Sequence, residues 1–184
     1  MHQINWGIIG PGSIADAFAY SIQATKNSKL ISVLGRDSKK VNSFAQKFHI
    51  NAHYQLDDFI SSEEIDAIYI ATPHSEHFFY AIEAIKNGKH VLCEKPLTMN
   101  AHESMILLAL ANEKNIFLME AFMYRVHPQT RNILDNLDFL KDAQDKIMIE
   151  ASFGFQADVP ESHRLRNPEL GGGAILDVGC YPLT

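Results

Sequence analysis

Gly7-Ile8-Ile9-Gly10-Pro11-Gly12-Ser13-Ile14-Ala15 is the stretch whose reading decides the fold. It closes an apolar run that starts at Ile4 and opens a segment in which Ile14, Phe18 and Ile22 recur four residues apart. The run has the length of a buried strand, and the recurrence is that of one helix face. Gly10-x-Gly12-x-x-Ala15 therefore lies at a strand-to-helix turn, where a dinucleotide-binding fingerprint has to sit. Each small residue has a physical task there. Gly10 permits the tight turn, Gly12 lets a pyrophosphate approach the backbone, and Ala15 lets helix and strand pack closely. Ser13 and Ile14 open the helix, so a pyrophosphate would face unpaired N–H groups at the positive end of its dipole. An ordinary Gly-rich turn uses the same residues, and the rest of the chain has to decide between the two.

The bulk properties exclude several classes. A chain of 184 residues with 46% hydrophobic and 21% charged residues can bury a core. The net charge of −6, with no basic stretch, argues against a nucleic-acid or anionic-membrane surface. No apolar run reaches membrane-spanning length, and the first residues lack a charged-then-apolar leader pattern. Cys93 and Cys180 make no disulfide framework, so the expected compartment is the cytoplasm. His74 and His77 are close enough to suggest shared ligation. A zinc site needs three or four ligands, and no metal is expected.

Along the chain, residues 30–34 read as the second parallel strand. The strand ends at Gly35-Arg36-Asp37, about twenty residues past the glycine turn, where the ribose of a dinucleotide would lie. An NAD-selective site usually has Asp or Glu at that strand end. Here Gly35 takes the place and Arg36 follows, so a 2′-phosphate is favoured and NADP is the expected cofactor over NAD. Asp37 is discordant, and a polar loop capping the next helix (Val41, Phe44, Ala45, Phe48) is the plainer alternative.

Residues 66–71 read as a buried strand that ends in Thr72-Pro73-His74-Ser75-Glu76-His77. That loop is placed over the site, because ligands of open α/β sheets bind at the carboxyl ends of strands. Residues 90–93 form another strand, followed by Glu94-Lys95-Pro96. Asn100 and Glu103 cap a helix carrying Met105, Leu108 and Ala109, and residues 116–119 form a further strand. This repeating order defines a doubly wound parallel sheet, a dinucleotide-binding domain over residues 1–121.

The pattern then changes. A helix with Ile133, Leu134, Leu137 and Leu140 precedes residues 146–155, whose Ile147, Ile149, Ala151, Phe153 and Phe155 alternate strictly. Such alternation marks a sheet buried on one face, so a second, α+β domain is expected over residues 122–184. One strand cannot make a sheet, so the sequence is expected to be the N-terminal part of a longer enzyme. The first domain should then fold and bind nucleotide alone, with residues after about 125 open to protease and little dehydrogenase activity.

Four blocks together resemble one family, the Gfo/Idh/MocA oxidoreductases of glucose–fructose oxidoreductase and inositol dehydrogenase type. They are Gly10-Pro11-Gly12-Ser13-Ile14-Ala15, the segment from Thr72 to His77, Glu94-Lys95-Pro96, and Gly171-Gly172-Gly173-Ala174-Ile175-Leu176-Asp177-Val178-Gly179-Cys180-Tyr181. Met119-Glu120-Ala121-Phe122-Met123-Tyr124-Arg125 is similar to the dihydrodiol and D-xylose dehydrogenase branch.

The resemblance implies a Rossmann domain followed by a domain with a mostly antiparallel sheet. It also implies a sugar, polyol or cyclic diol as substrate, and a homo-oligomeric full-length enzyme. Thr72, Pro73, His77, Glu94 and Lys95 would join the glycine turn in holding the cofactor. Lys95, Asp177 and Tyr181 would be the catalytic group, with Tyr181 where many relatives carry His, and the bond before Pro96 is often cis.

A cation at roughly 4 Å from the Tyr181 hydroxyl, at an effective dielectric of about 20, would favour phenolate by about 4 kcal/mol. Set against desolvation, that gives an expected pKa of about 7–9 in place of about 10. The expected activity is hydride transfer between nicotinamide and a secondary alcohol carbon, with Lys95 and Tyr181 handling the hydroxyl proton. A non-catalytic NADP-binding sensor remains the alternative, although it would need only the first motif. A methyltransferase would leave the Lys95 and Tyr181 blocks without a reason.

Overall fold

The computed structural model describes residues 3–137, 148 and 150–183. Six strands form one sheet: β1 (Ile4–Ile9), β2 (Ser28–Leu34), β3 (Asn51–His53), β4 (Ala67–Ile70), β5 (His90–Cys93) and β6 (Leu118–Glu120). Their order is β3-β2-β1-β4-β5-β6, and every pair is parallel. The expected Rossmann-type α/β fold is therefore present. The chain winds outward from β1 to β3, then returns to the other side of β1 for β4. The crevice at the carboxyl ends of β1 and β4 is the switch point where such sheets bind ligands.

The central strand is buried on both faces. Ile9 joins Ile68, Ile70, Ile85 and Leu107 on one side. Ile8 joins Ala15, Val33, Val41 and Phe44 on the other. Helices α1 (Ser13–Gln23) and α2 (Ser38–Phe48) cover the second side, and α4 (His77–Lys86) and α5 (Ala101–Glu113) the first. The short α3 (Leu56–Ile60) and the three-residue β3 were not legible in the sequence, because neither is long enough to show a period. Yet α3 supplies Phe59, fully buried, and a Cβ at Gly7 would come within 2.6 Å of its ring. Gly7 is thus the gap in β1 that admits Phe59.

Two helix faces differ from expectation. In α1 the buried stripe is Ala15, Ala19 and Ile22, while Ile14 is 38% exposed. Small side chains let the helix sit close to the sheet, and the larger Phe18 packs at its flank against Trp6 and Tyr69. In α5 the cap forms as expected, with Asn100 Oδ1 accepting from Glu103 N at 3.0 Å. Its core face is Leu107 and Ala111, whereas Met105, Leu108 and Ala109 are exposed. A cap fixes where a helix begins, but packing against α4 and the sheet fixes its rotation.

Beyond β6, α6 (Pro128–Asp135) forms with Ile133 and Leu134 exposed. Leu140, Lys146, Ile147 and Ile149 lie outside the described residues. The expected strand is not found in the remainder, since residues 150–159 carry no regular structure. A strand exists only where a second backbone takes its N–H and C=O groups, and no described segment pairs with this one. The later part of the chain turns back onto the carboxyl ends of the strands. A π-helical turn, Ile175–Gly179, runs straight into the helical turn Cys180–Leu183.

Candidate functional site

The site is built on the turn between β1 and α1. Gly10 has φ +96°, and a Cβ there would stand 2.8 Å from the carbonyl oxygen of Ala71, so β1 and β4 touch through it. Gly12 is different. Its backbone is extended, it is the N-cap of α1, and no side chain caps the helix. A Cβ on Gly12 would meet nothing within 4 Å. The glycine therefore borders open space in front of the first-turn N–H groups, the cradle a pyrophosphate needs.

Two cavities meet at this cradle. One, of about 430 Å³, is lined by Gly12, Ser13, Ile14, Glu94, Lys95 and Tyr181 among others. The other, of about 240 Å³, is lined by Gly10, Gly12, Gly35, Arg36, Glu76 and Tyr80. Gly12, Thr72 and Pro73 border both, so the two form one trough from the end of β2 to Tyr181. Thr72 Oγ1 is buried at its wall with no hydrogen-bond partner among the described residues.

At the β2 end, the discordant Asp37 is accounted for. Its carboxylate accepts from the backbone N–H of Lys39 and Lys40 and caps α2, as the plainer alternative has it. Gly35 leaves no room for a side chain, since a Cβ would lie 2.8 Å from both Pro11 Cδ and Val41 Cγ2. Arg36 borders the trough, and its Nη2 is 2.6 Å from Glu76 Oε1.

At the other end, β5 delivers Glu94 and Lys95, and the Lys95–Pro96 bond is cis. Lys95 Nζ donates to the backbone oxygen of Asp177 and lies 3.2 Å from its Oδ1. The same Oδ1 is 3.4 Å from Arg164 Nη1. Lys95 Nζ also stands over the Tyr181 ring, 5.5 Å from its centroid. Residues 82 apart in sequence, Lys95 and Asp177, are thus joined, with Tyr181 beside them. The expected lowering of the Tyr181 pKa does not occur: burial is the largest effect and raises it, and nearby thiol, carboxyl and phenol groups add to the rise. Lys95 is held by Asp177, so its charge is already compensated where it stands over the ring.

Four further placements refine the sequence reading. His77 does not reach the trough surface: it is fully buried, with Nδ1 2.7 Å from Pro96 O and Nε2 3.0 Å from Thr72 O. It ties the loop after β4 to the loop after β5 from beneath. Glu94 Oε1 accepts from the Tyr69 hydroxyl, whose pKa burial, aided by Glu94, pushes well up. His74 and Arg164 line the larger cavity although neither was singled out as a site residue. His74 Nδ1 is 3.1 Å from Gly171 O, and a Cβ on Gly171 would strike His74 Cβ at 2.7 Å. Gly171 of the triple glycine thus serves close docking onto His74, and Gly172 packs against Arg166 and Asn167. Arg164 lies in an aperiodic polar loop, where no pattern in one sequence marks it.

Residues 4–122 match the model of the Gfo/Idh/MocA oxidoreductase family, NAD-binding Rossmann fold. The chain belongs to this family. The matched span takes in the whole sheet and ends just past β6. Among individual proteins the chain is similar to trans-1,2-dihydrobenzene-1,2-diol dehydrogenase of Xenopus tropicalis, at 37% identity over 96% of this chain and 53% of that one. It is also similar to D-xylose 1-dehydrogenase (NADP(+)) of Hypocrea jecorina, at 31% identity over the whole chain and 52% of the relative. The chain spans about half the length of the curated relatives it matches. Among solved structures, a 3-ketoreductase from Actinomadura kijaniata in complex with NADP and TDP-benzene superposes with a TM-score of 0.71 at 30% identity. It covers 75% of this chain and 43% of its own. In this Gfo/Idh/MocA chain no described helix is long and apolar enough to cross a membrane.

The two buried histidines make stability depend on pH. Burial lowers the pKa of His77 and His74, in each case against the carbonyls that favour the charged ring. In the unfolded chain both take a proton near pH 6.5. The unfolded state therefore binds more protons below that pH, and stability rises with pH through that window. The contribution is complete above about pH 6.5 and declines as the pH falls towards the lowered folded values. Urea midpoints at pH 7.5 and 5.5 are expected to differ, and the difference should shrink in His77→Gln. An equal difference in the variant would assign the slope to other groups.

Proposed function

We propose that the site is that of an NADP-dependent oxidoreductase acting on a secondary alcohol or carbonyl of a sugar, polyol or cyclic diol. The carrying observation is the single trough that runs from Arg36, past the open face of Gly12, to Lys95 and Tyr181. Its features fit a dinucleotide: an open cradle at an uncapped helix N-terminus, and the buried, unpartnered Thr72 Oγ1. NADP(H) would supply hydride transfer at its nicotinamide. The first-turn N–H groups of α1, at Ser13 and Ile14, would hold the pyrophosphate, and Arg36 the 2′-phosphate. Thr72, Pro73 and Glu94 would wall the nicotinamide end.

Lys95, Asp177 and Tyr181 would handle the proton. Asp177 fixes the Lys95 ammonium through two oxygens, and Arg164 keeps that carboxylate compensated. Tyr181, with its raised pKa, keeps its proton at neutral pH. It is therefore suited to donate to a carbonyl oxygen as hydride arrives at the carbon, with Lys95 assisting. The activities of the named relatives, diol and xylose dehydrogenation, support this substrate class. Residues 122–184 would form the substrate side of the site. A nucleotide-sensing module would need the trough but not the Lys95–Asp177–Tyr181 cluster.

Equilibrium titration of the chain with NADP⁺ and NAD⁺ tests the reading. One or two charge-assisted bonds to the 2′-phosphate should give NADP⁺ at least about tenfold tighter binding. Arg36→Ala should remove that preference. Equal affinities in the wild type, or an unchanged preference in the variant, would reject Arg36 as the phosphate ligand.

A further inference from the structure

We infer that Glu76 is the acidic ribose acceptor of this site, supplied from β4 because β2 cannot house one, and that it sets the balance between NAD and NADP. The inference rests on the proposed nucleotide site and adds a residue to it. At the end of β2, Gly35 stands against Pro11 and Val41 with no space for a carboxylate, and Asp37 is committed to capping α2. Glu76 enters the same 240 Å³ cavity from the opposite side. It ends the tight turn His74–Glu76 after β4, and its N–H donates to Pro73 O at 2.9 Å. Its backbone is thereby anchored to the loop that walls the trough.

The two carboxylate oxygens of Glu76 have different surroundings. Oε1 meets Arg36 Nη2 at 2.6 Å. Oε2 is buried and has no hydrogen-bond partner among the described residues. A buried acceptor without a donor is costly, and a ribose 2′-hydroxyl is a donor of the right kind. NAD, which keeps that hydroxyl, would gain a charge-assisted bond to the Glu76 carboxylate. NADP, which carries a phosphate there, would gain Arg36 and Lys40 but meet the repulsion of Glu76. Arg36 is the more exposed partner, 77% against 22% for Glu76, so it is Arg36 that has room to turn to the phosphate. Glu76 thus narrows a preference that Arg36 creates.

Glu76→Gln keeps the side-chain shape and removes the charge. Both nucleotides are titrated against wild type, Glu76→Gln and Arg36→Ala of the 184-residue chain. In Glu76→Gln the ratio of NADP⁺ to NAD⁺ affinity should rise by about tenfold, with NAD⁺ weakened and NADP⁺ unchanged or tighter. Because the readout is a ratio within one preparation, partial misfolding does not imitate it. An unmoved or falling ratio would overturn the role of Glu76, even where Arg36→Ala loses NADP⁺ as the proposed function requires. If Arg36→Ala leaves NADP⁺ binding intact while Glu76→Gln weakens NAD⁺, the phosphate ligand is wrong and the ribose acceptor stands. A wild-type chain that binds neither nucleotide overturns both.

Discussion

Lys95→Ala and Tyr181→Phe are each expected to lower turnover of the active enzyme by about 10²–10⁴-fold while cofactor affinity stays largely intact. Lys95 is 15% exposed, and its ammonium is bound to the backbone oxygen and carboxylate of Asp177. Removing it takes away the ammonium that stands over the Tyr181 ring and leaves the Asp177 carboxylate with Arg164, at 3.4 Å. Tyr181→Phe removes one oxygen and leaves the aromatic contacts with Tyr124, Phe122 and Phe153 in place, so it tests the proton and not the packing. Single-turnover rates at saturating cofactor, with separate cofactor titrations, would divide the two effects. Near-normal turnover in Tyr181→Phe would show that another group moves the proton. The sequence would nominate His77 for that role, but His77 is sealed beneath the trough. His74, which lines the cavity, would be the group to examine.

Gly12→Asp should move stability and binding in opposite directions. Gly12 has φ −109°, an ordinary value for any residue, and a Cβ there is unobstructed. As the N-cap of an uncapped helix, an aspartate would accept from first-turn N–H groups and favour the helix dipole. The expected gain is about 0.3–1 kcal/mol. The same carboxylate would occupy the cradle and repel a pyrophosphate. Loss of two charge-assisted bonds at about 1.5–3 kcal/mol each predicts about 10²–10⁴-fold weaker nucleotide binding. Urea denaturation and nucleotide titration on one preparation decide it. A destabilised variant would mean that the space above Gly12 is closed in solution. Unweakened binding would mean that the nucleotide does not use this turn.

The contrast between these glycines shows how much of the site the sequence carried. The spacing Gly10-x-Gly12-x-x-Ala15 located the turn, and the order of apolar runs located four of its companion strands and the parallel sheet. Which glycine is tight and which is open could not be read from spacing, because it depends on what stands opposite. Ala71 faces Gly10, and Pro11 with Val41 faces Gly35, while open space faces Gly12. The described part of the strand expected at 146–155, residues 150–155, carries no regular structure for a related reason. Alternation states which side chains would share a face, but the backbone still needs a neighbour to pair with.

Local information therefore determined the class of fold, the position of the nucleotide turn and the helix caps, since each arises from contacts within a few residues. Tertiary structure alone decided the rest. It rotated α5 onto Leu107 in place of Leu108, and it put His77 beneath the site and His74 within it. It joined Lys95 to Asp177 across 82 residues, and it set Glu76 against Arg36 at the ribose end. Burial and the charge of a neighbour belong to the folded arrangement and not to any one residue. That is why Tyr181 holds its proton more tightly here, although a lysine lies beside it.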